Sequence, residues 1–393
     1  MEFQAWWLLV IPLFFGLGWI TSRFDQKSVQ RENRHLPDAY FKGLNFLLSE
    51  QSDKAIDAFI DVVRLDPDTI ELHFALGNLF RRRGESDRAI RVHQNLIERG
   101  DLDPSQREHA LFELGQDYLK AGLIDRAEDA FNRLEGTEYG AAALKFRLEI
   151  VQMVRDWPQA IELAERLDRV AGDSHHRQIC HFHCELAVKA QASDEASARE
   201  LAAVHLENAL RADPRHPRPR LLQGQQALAD GDPASAVKAF QHVAIDRPDY
   251  LALVARDWIE AHRAVGKLAQ GIDGLEGLMH ESASIDVLAA VAGARSERDG
   301  PDAALAWASN DLRESPSLLG LATLLQMRAP FAPPQEREEI ALVQKLIHDQ
   351  VRRLSRYQCQ HCGFKARQFY WQCPGCNRWD TYSPRRSEEL ERA

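Results

Sequence analysis

Two hydrophobic patterns divide the chain. Trp6 to Ile20 is a run of uncharged, mostly apolar residues, WWLLVIPLFFGLGWI. From Pro37 onward apolar positions recur at helical spacing, with few of the alternating stretches that predict strands. A longer period lies on top of the helical one. Gly43, Ala55, Phe59 and Pro67 stand at offsets 0, 12, 16 and 24, and Gly224, Ala236, Phe240 and Pro248 repeat those offsets. Gly77 follows Gly43 by 34 residues and has Ala89 at +12, while Gly115 has Ala127 at +12 and Phe131 at +16. Breakers mark the turns, as in Arg83-Gly84-Glu85-Ser86-Asp87 and Ala229-Asp230-Gly231-Asp232-Pro233. Asp66-Pro67, Asp213-Pro214 and Arg247-Pro248 mark helix stops.

A 34-residue period with small, small, aromatic and Pro at these offsets is the pattern of tetratricopeptide repeats. Each repeat is a pair of antiparallel helices. The Gly of the first helix and the Ala of the second are small because the helices cross closely there. The Phe fills the groove toward the next repeat, and the Pro ends the second helix. Other units are degenerate. One runs through Leu148, Ala160 and Leu167; another carries Ala202, Leu206 and Pro214; a later one has Ala304, Ala308 and Pro316. Trp258 falls 34 residues after Gly224, with Gln270 and Gly274 at its partner positions. About eight or nine repeats are expected over 37–328, an all-α superhelix with a long groove for extended peptides or partner helices. The sequence has no GxSxG, no phosphate-binding glycine loop and no HExxH, so the expected protein is not an enzyme.

The apolar run, extended to eighteen residues by Phe3, Gln4 and Ala5, meets the short end of the roughly 17–25 residues a membrane span needs. Trp6, Trp7 and Trp19 stand near its ends, where indoles favour the headgroup region. Pro12, Gly16 and Gly18 weaken a soluble helix but are tolerated in lipid. A cleaved signal peptide would have a basic start and a small-residue cleavage site. Here no Lys or Arg precedes Arg23, and Thr21-Ser22-Arg23-Phe24 follows the run. A retained transmembrane anchor over 1–22 is therefore favoured over a signal peptide or a buried core helix. Arg23, Lys27, Arg31 and Arg34 make 23–36 a basic linker, and positive charge after the span alone places the bulk of the chain in the cytoplasm.

Composition narrows the chemistry. The 393 residues carry 49 Lys+Arg against 59 Asp+Glu, a net charge of −10, which disfavours nucleic acid as a partner. Of six cysteines, four lie between Cys359 and Cys376. They read Cys359-Gln-His-Cys362-Gly363-Phe364 and Cys373-Pro374-Gly375-Cys376-Asn377, beyond a break at Ala329–Pro334 and a further helix, the two together forming 329–356. Two CxxC turns aim four thiolates at one point, so Cys359, Cys362, Cys373 and Cys376 are the candidate ligands of one tetrahedral iron or zinc ion. The residue after each second cysteine needs a positive φ; Gly363 adopts it freely and Asn377 is the next most tolerant type. Phe369-Tyr370-Trp371 and Trp379 are expected to form the small core of this domain, 357–382, ahead of a tail over 383–393. His361 is read as a bystander to the four thiolates. Cys180 and Cys184 share a helix face beside His181 and His183, and packing as small hydrophobes is favoured there over metal or redox chemistry.

The knuckles resemble rubredoxin, CxxCG with a following aromatic and then CPxC, although Asn377 replaces the usual Gly and the segment between knuckles is short. Anchor, tetratricopeptide repeats and rubredoxin-like tail, in this order and length, resemble the lipopolysaccharide assembly protein B family of Gram-negative bacteria. The resemblance implies a single-pass protein of the bacterial inner membrane that regulates lipopolysaccharide biosynthesis. It implies an adaptor that helps the membrane protease FtsH degrade the UDP-acyl-N-acetylglucosamine deacetylase, the enzyme that commits precursors to lipid A. It further implies an inner-membrane regulator that senses lipopolysaccharide and acts through the anchor region. Two other readings stand beside it: a scaffold for lipopolysaccharide assembly enzymes with no proteolytic role, and a rubredoxin-like redox protein. Asn377 and the short inter-knuckle segment count against the redox reading.

The charge asymmetry around the apolar run predicts that residues beyond Arg23 are cytoplasmic and that the anchor is retained. A C-terminal reporter active only in the periplasm, or a mature N-terminus past Ile20, contradicts this.

Overall fold

A computed structural model describes residues 41–392 apart from positions 44, 47–48, 50, 66–69, 173, 194–196 and 280–283. The expected anchor and basic linker lie outside the described residues, as does Pro67. Among the described residues no helix is long and apolar enough to cross a membrane. The chain divides into two compact units, residues up to 156 with 165–173, and residues 157–164 with 174 onward.

The first unit is built from α1 (Ser52–Leu65), α2 (Ile70–Arg82), α3 (Ser86–Glu98), α4 (Pro104–Lys120), α5 (Ile124–Asn132) and α6 (Gly140–Met153). The helix α7 (Trp157–Ala171) supplies residues to both units. Local signals set the helix starts. Asp103 and Gln106 form a reciprocal capping box ahead of α4, with Pro104 at its first position. The close crossings predicted from spacing are present: a Cβ placed on Gly43 or Gly115 would come within 2.9 or 2.7 Å of the Phe59 or Phe131 ring. Phe131 also stacks on Phe146 of the next pair at 5.1 Å between ring centroids, so one aromatic serves both the crossing and the neighbouring repeat.

At the position of that Phe, the repeat starting at Gly77 carries His93, fully buried. One of its ring nitrogens is met from the next repeat. Nδ1 lies 2.5 Å from Asp117 Oδ2, and Arg81 donates to Asp117 Oδ1 at 2.8 Å and to Glu113. A buried carboxylate is tolerated here because a cation and an imidazole share it.

The second unit continues with α8 (His176–Gln191), α9 (Ala198–Ala212), α10 (Pro217–Ala229) and α11 (Pro233–Asp246). A 3₁₀ turn at Pro248–Tyr250 leads into α12 (Leu251–Ala264), α13 (Leu268–Met279), α14 (Ile285–Asp299), α15 (Pro301–Glu314), α16 (Leu318–Arg328) and the 21-residue α17 (Pro334–Leu354). Beyond them, β1 (Tyr357–Gln358) and β2 (Lys365–Ala366) pair antiparallel, and α18 (Ser387–Arg392) closes the chain. Phe240, Val254, Trp258, Ile272 and Leu275 share one core cluster. Gly224 faces Phe240 so closely that a Cβ there would fall inside the ring's van der Waals shell.

The degenerate unit at Trp258 obeys the same packing rule with the sizes exchanged. Trp258 occupies the position of Gly224, Gly274 occupies that of Phe240, and a Cβ on Gly274 would sit 3.1 Å from Trp258 Cζ2. The indole N–H donates to the Gly271 carbonyl at 2.9 Å, so the large residue is also satisfied. One large and one small side chain conserve the volume at the crossing, and either helix can carry the large one.

Because Gly224 has no room for a methyl, Gly224→Ala is expected to cost about 1–3 kcal/mol, with part of that loss recovered when Phe240→Leu is added. Chemical unfolding of the two variants checks this; an unchanged midpoint for Gly224→Ala would show that the crossing is not tight.

Candidate metal centre and its clamp on the repeats

The two knuckles are built alike. Cys359 N–H donates to the Phe364 carbonyl and Gly363 N–H to the Cys359 carbonyl, at 2.9 and 3.0 Å. The second knuckle repeats this from Cys373 to Arg378 and from Asn377 to Cys373, at 2.9 and 2.8 Å. Gly363 at φ 76° and Asn377 at φ 55° take the left-handed conformation that the motif predicted for both. The turns aim backbone N–H groups at sulfur, Cys362 N–H at Cys359 Sγ (3.5 Å) and Gly375 N–H at Cys373 Sγ (3.4 Å).

The four sulfurs lie within 4.8 Å of one another. Cys359 to Cys376 is 3.9 Å and Cys362 to Cys373 is 3.6 Å. Four sulfurs about 2.3 Å from a central ion stand about 3.8 Å apart at the edges of a tetrahedron, so the donor set fits one ion. Cys359 and Cys373 are buried while Cys362 is exposed. Burial alone would raise the Cys359 thiol, but hydrogen bonds from Thr381 and from the N–H groups of Cys362 and His361 hold it down at about 6. Thiolate is the form that binds a metal.

The aromatic residues depart from the sequence expectation. Phe369 and Tyr370 do pack with Tyr357 and Tyr382 inside the knuckle domain. The two indoles mainly cover the helical repeats, although Trp371 keeps an edge-on contact with Phe369 at 4.9 Å. Trp371 stacks on Tyr250 at 5.4 Å and 3° between planes, and Trp379 stacks on His181 at 4.5 Å and 21°. Trp379 also meets Trp157 and Phe182 edge-on at 6.0 Å each. The four sulfurs and the paired turns hold the small domain in shape, which leaves its largest apolar surfaces free to bury elsewhere.

Between the indoles lies a polar contact that ties the domain to the helices. Asp380 Oδ1 is 2.9 Å from His181 Nε2 on α8, an approach close in distance but poorly aligned, and 3.4 Å from Nε2 of His216, the residue capping α10. The other ring nitrogens fix the tautomers. Arg218 Nη1 donates to His181 Nδ1 at 3.1 Å, and the Arg218 backbone N–H donates to His216 Nδ1 at 3.3 Å. Both neutral rings therefore carry their protons on Nε2, facing the carboxylate. His181, His216 and Asp380 have the residue types of a metal site. Their Nε2 lone pairs are taken by protons, so the cluster is a polar clamp in which His216 hydrogen-bonds Asp380 and His181 meets the same oxygen as a close electrostatic contact. Burial holds His181 down to about 3 in spite of Asp380. For Asp380, burial opposes ionisation, but hydrogen bonds from the two imidazoles hold its carboxyl well below the usual range. Arg218 completes the clamp with an ion pair to Glu185 at 2.5 Å and lies 5.6 and 5.8 Å over the faces of Trp371 and Trp379.

The tail after the knuckles is the second attachment. Arg386 makes a bidentate pair with Asp286 at 2.7 and 2.8 Å and lies over Tyr357. Glu388 accepts from Leu318 and Leu319 N–H (2.6 and 3.0 Å), and Glu389 accepts from Ile285 N–H (2.6 Å). Adjacent carboxylates thus sit at the N-termini of α16 and α14, where free N–H groups and the helix dipole favour negative charge.

None of Asp380, His216, Arg218, Arg386, Glu388 and Glu389 carries a sequence signal. Capping acids are recognised when they precede a helix, whereas these come from 70 and 104 residues away. Cys180 and Cys184 are fully buried and pack with Ala209. Their neighbours are engaged elsewhere, His181 with Asp380 and Arg218, and His183 with His205.

Comparison with known proteins agrees with this geometry. Residues 357–384 match a family described as a rubredoxin metal binding domain, and residues 72–108 match the tetratricopeptide repeat. The chain is 36% identical over 379 residues to lipopolysaccharide assembly protein B of Escherichia coli strain K12, spanning 96% of this chain and 97% of that one. It is 31% identical to the protein of the same name from Haemophilus influenzae, over 97% of this chain and 98% of that one. Among solved structures, the Cut9–Hcn1 assembly of the APC/C superposes at a TM-score of 0.30 with 16% identity, over 73% of this chain and 54% of that one.

Asp380→Ala strands the buried His216 N–H and removes the charge facing His181, at about 1–3 kcal/mol in all, and is expected to loosen the knuckle domain while the helices persist. Tryptophan emission should shift to the red, with helical circular dichroism nearly unchanged; loss of both signals together contradicts the clamp. The folded pKa of His181 lies below its unfolded value, so docking should weaken as pH falls from about 6.5. In His181→Gln that part of the pH dependence should disappear.

Proposed function

The chain belongs to the lipopolysaccharide assembly protein B family, and from that premise we propose that it acts as an inner-membrane protein-binding platform rather than through catalysis of its own. In this reading it presents the UDP-acyl-N-acetylglucosamine deacetylase of the lipid A pathway to FtsH, and so restrains lipopolysaccharide synthesis. The observation that carries the reading is the clamp: the four-cysteine domain is held on the repeats by Asp380, Trp371, Trp379 and the tail carboxylates. A domain held this way extends the repeat surface and fixes its form, which is what a docking site for a folded enzyme requires.

Each part has a stated task. Cys359, Cys362, Cys373 and Cys376 hold one iron or zinc ion, which supplies a cross-link between the two knuckles. Asp380, His181 and His216 orient the domain against α8 and α10. The repeats supply the recognition surface. An apolar anchor over 1–22, with the bulk of the chain on the cytoplasmic side, raises the concentration of the bound enzyme beside a membrane protease, as any tether does. An inner-membrane regulator that senses lipopolysaccharide would act through the same anchor. A second reading, a scaffold for lipopolysaccharide assembly enzymes without a role in proteolysis, has the name of the relatives in its favour.

The two readings part on the lifetime of the deacetylase after protein synthesis is stopped. The adaptor reading expects rapid decay with the intact chain, and several-fold slower decay when residues 1–22 are removed or when Cys373→Ser and Cys376→Ser are combined. The anchorless chain should still bind the deacetylase. A lifetime indifferent to the whole protein leaves the scaffold reading in place.

A further inference from the structure

The helix α17 is 21 residues long, yet Ile340 is its sole buried residue. The partly buried positions Gln344, Ile347, Val351 and Leu354 fall on the same side as Ile340 at helical spacing, and this side faces the protein. The opposite side carries Leu342 and Leu346, which are 58% and 73% exposed, with Val343, 38% exposed, on its flank. Two large leucines on the outward face of a helix with so little burial of its own form an unpartnered seam, since helices in proteins gain most of their stability from packing an apolar face.

Two properties of that seam are symmetric about its centre. The helix runs from 334 to 354, so its midpoint is residue 344, and Leu342 and Leu346 stand at equal distance on either side of it. The charges are antisymmetric about the same point. The half before residue 344 carries Glu336, Arg337, Glu338 and Glu339, a net charge of −2; the half after it carries Lys345, Asp349, Arg352 and Arg353, a net charge of +2. Glu338, Glu339, Lys345, Asp349, Arg352 and Arg353 are all exposed. Arg337 donates to the Ala332 and Pro330 carbonyls and Glu336 pairs with Arg328, so the charges left for a partner are those that flank the aliphatic seam.

We infer that α17 is a self-association face, whose occupant is α17 of a second copy of this chain lying antiparallel to it. A two-fold axis through the middle of the seam places Leu342 of one copy against Leu346 of the other and lays each acidic half along the other copy's basic half. A parallel pair would oppose like charges at both ends. Because one patch meets the same patch, the assembly closes at two chains. Each copy contributes few apolar side chains, so the pair is weak in free solution and is strengthened wherever two chains share one surface.

Sedimentation of the full chain in detergent, from low to high micromolar concentration, tests the inference. The wild type should pass from one chain to two. Leu346→Glu should remain a single chain across the range, with helical content and bound metal unchanged because the residue lies outside the fold. Glu338→Lys with Glu339→Lys should also dissociate the pair, and adding Lys345→Glu with Arg353→Glu should restore it by exchanging the two halves. A wild-type chain that stays single throughout, including one whose seam is covered by detergent or by a different protein, overturns the proposal. So does a dimer that survives Leu346→Glu, and failure of the four-fold charge exchange to restore the pair rejects the antiparallel arrangement.

Discussion

A single carboxylate, Asp380, is shared by imidazoles from two different helices, and the arrangement of the C-terminal part of the chain depends on that contact. Isolated, a carboxylate in such a place would be driven to protonate. Two Nε2–H donors facing it reverse the balance, and Arg218 locks both donors by occupying their opposite nitrogens. The group needs its partners and the partners need the group, so the knuckle domain docks in one orientation. The stacked indoles on either side add apolar burial but little direction; the carboxylate supplies the direction.

Two further constraints act with the clamp. The four-cysteine site fixes the internal shape of a domain too small to hold itself by apolar burial. The tail fixes its far side, placing Glu388 and Glu389 on the N-termini of α16 and α14. The last residues of the chain therefore complete helices in the repeats, and disturbance at one is felt at the other. This makes the domain part of the platform rather than an appendage to it, which is the physical basis for reading it as a recognition element.

Within the repeats, the governing quantity is the volume at each helix crossing. Gly224 with Phe240, Gly77 with His93 and Trp258 with Gly274 are three solutions to one steric problem. The histidine solution brings a polar atom into the core and requires Asp117 and Arg81 to follow it. The tryptophan solution exchanges which helix is large. Degeneracy in such a unit marks a change of side chain under an unchanged packing rule.

The helical repeats, the two knuckles and the left-handed residues Gly363 and Asn377 were legible in the sequence because each is encoded by residues close along the chain. Spacing of 12 and 16 residues reports a contact between neighbouring helices, and a CxxC turn is complete within six residues. The reciprocal exchange at Trp258 and Gly274 was visible as an irregularity without its meaning, since nothing local says which residue fills which hole. The clamp was invisible. Asp380 meets His181 and His216 across sequence separations of 199 and 164, and a carboxylate, two imidazoles and an arginine that far apart look like ordinary surface residues until the fold removes their water. Trp379, and the face of Trp371 that meets Tyr250, were misplaced for the same reason: hydrophobicity announces that an indole will be buried, and only the tertiary structure decides against what.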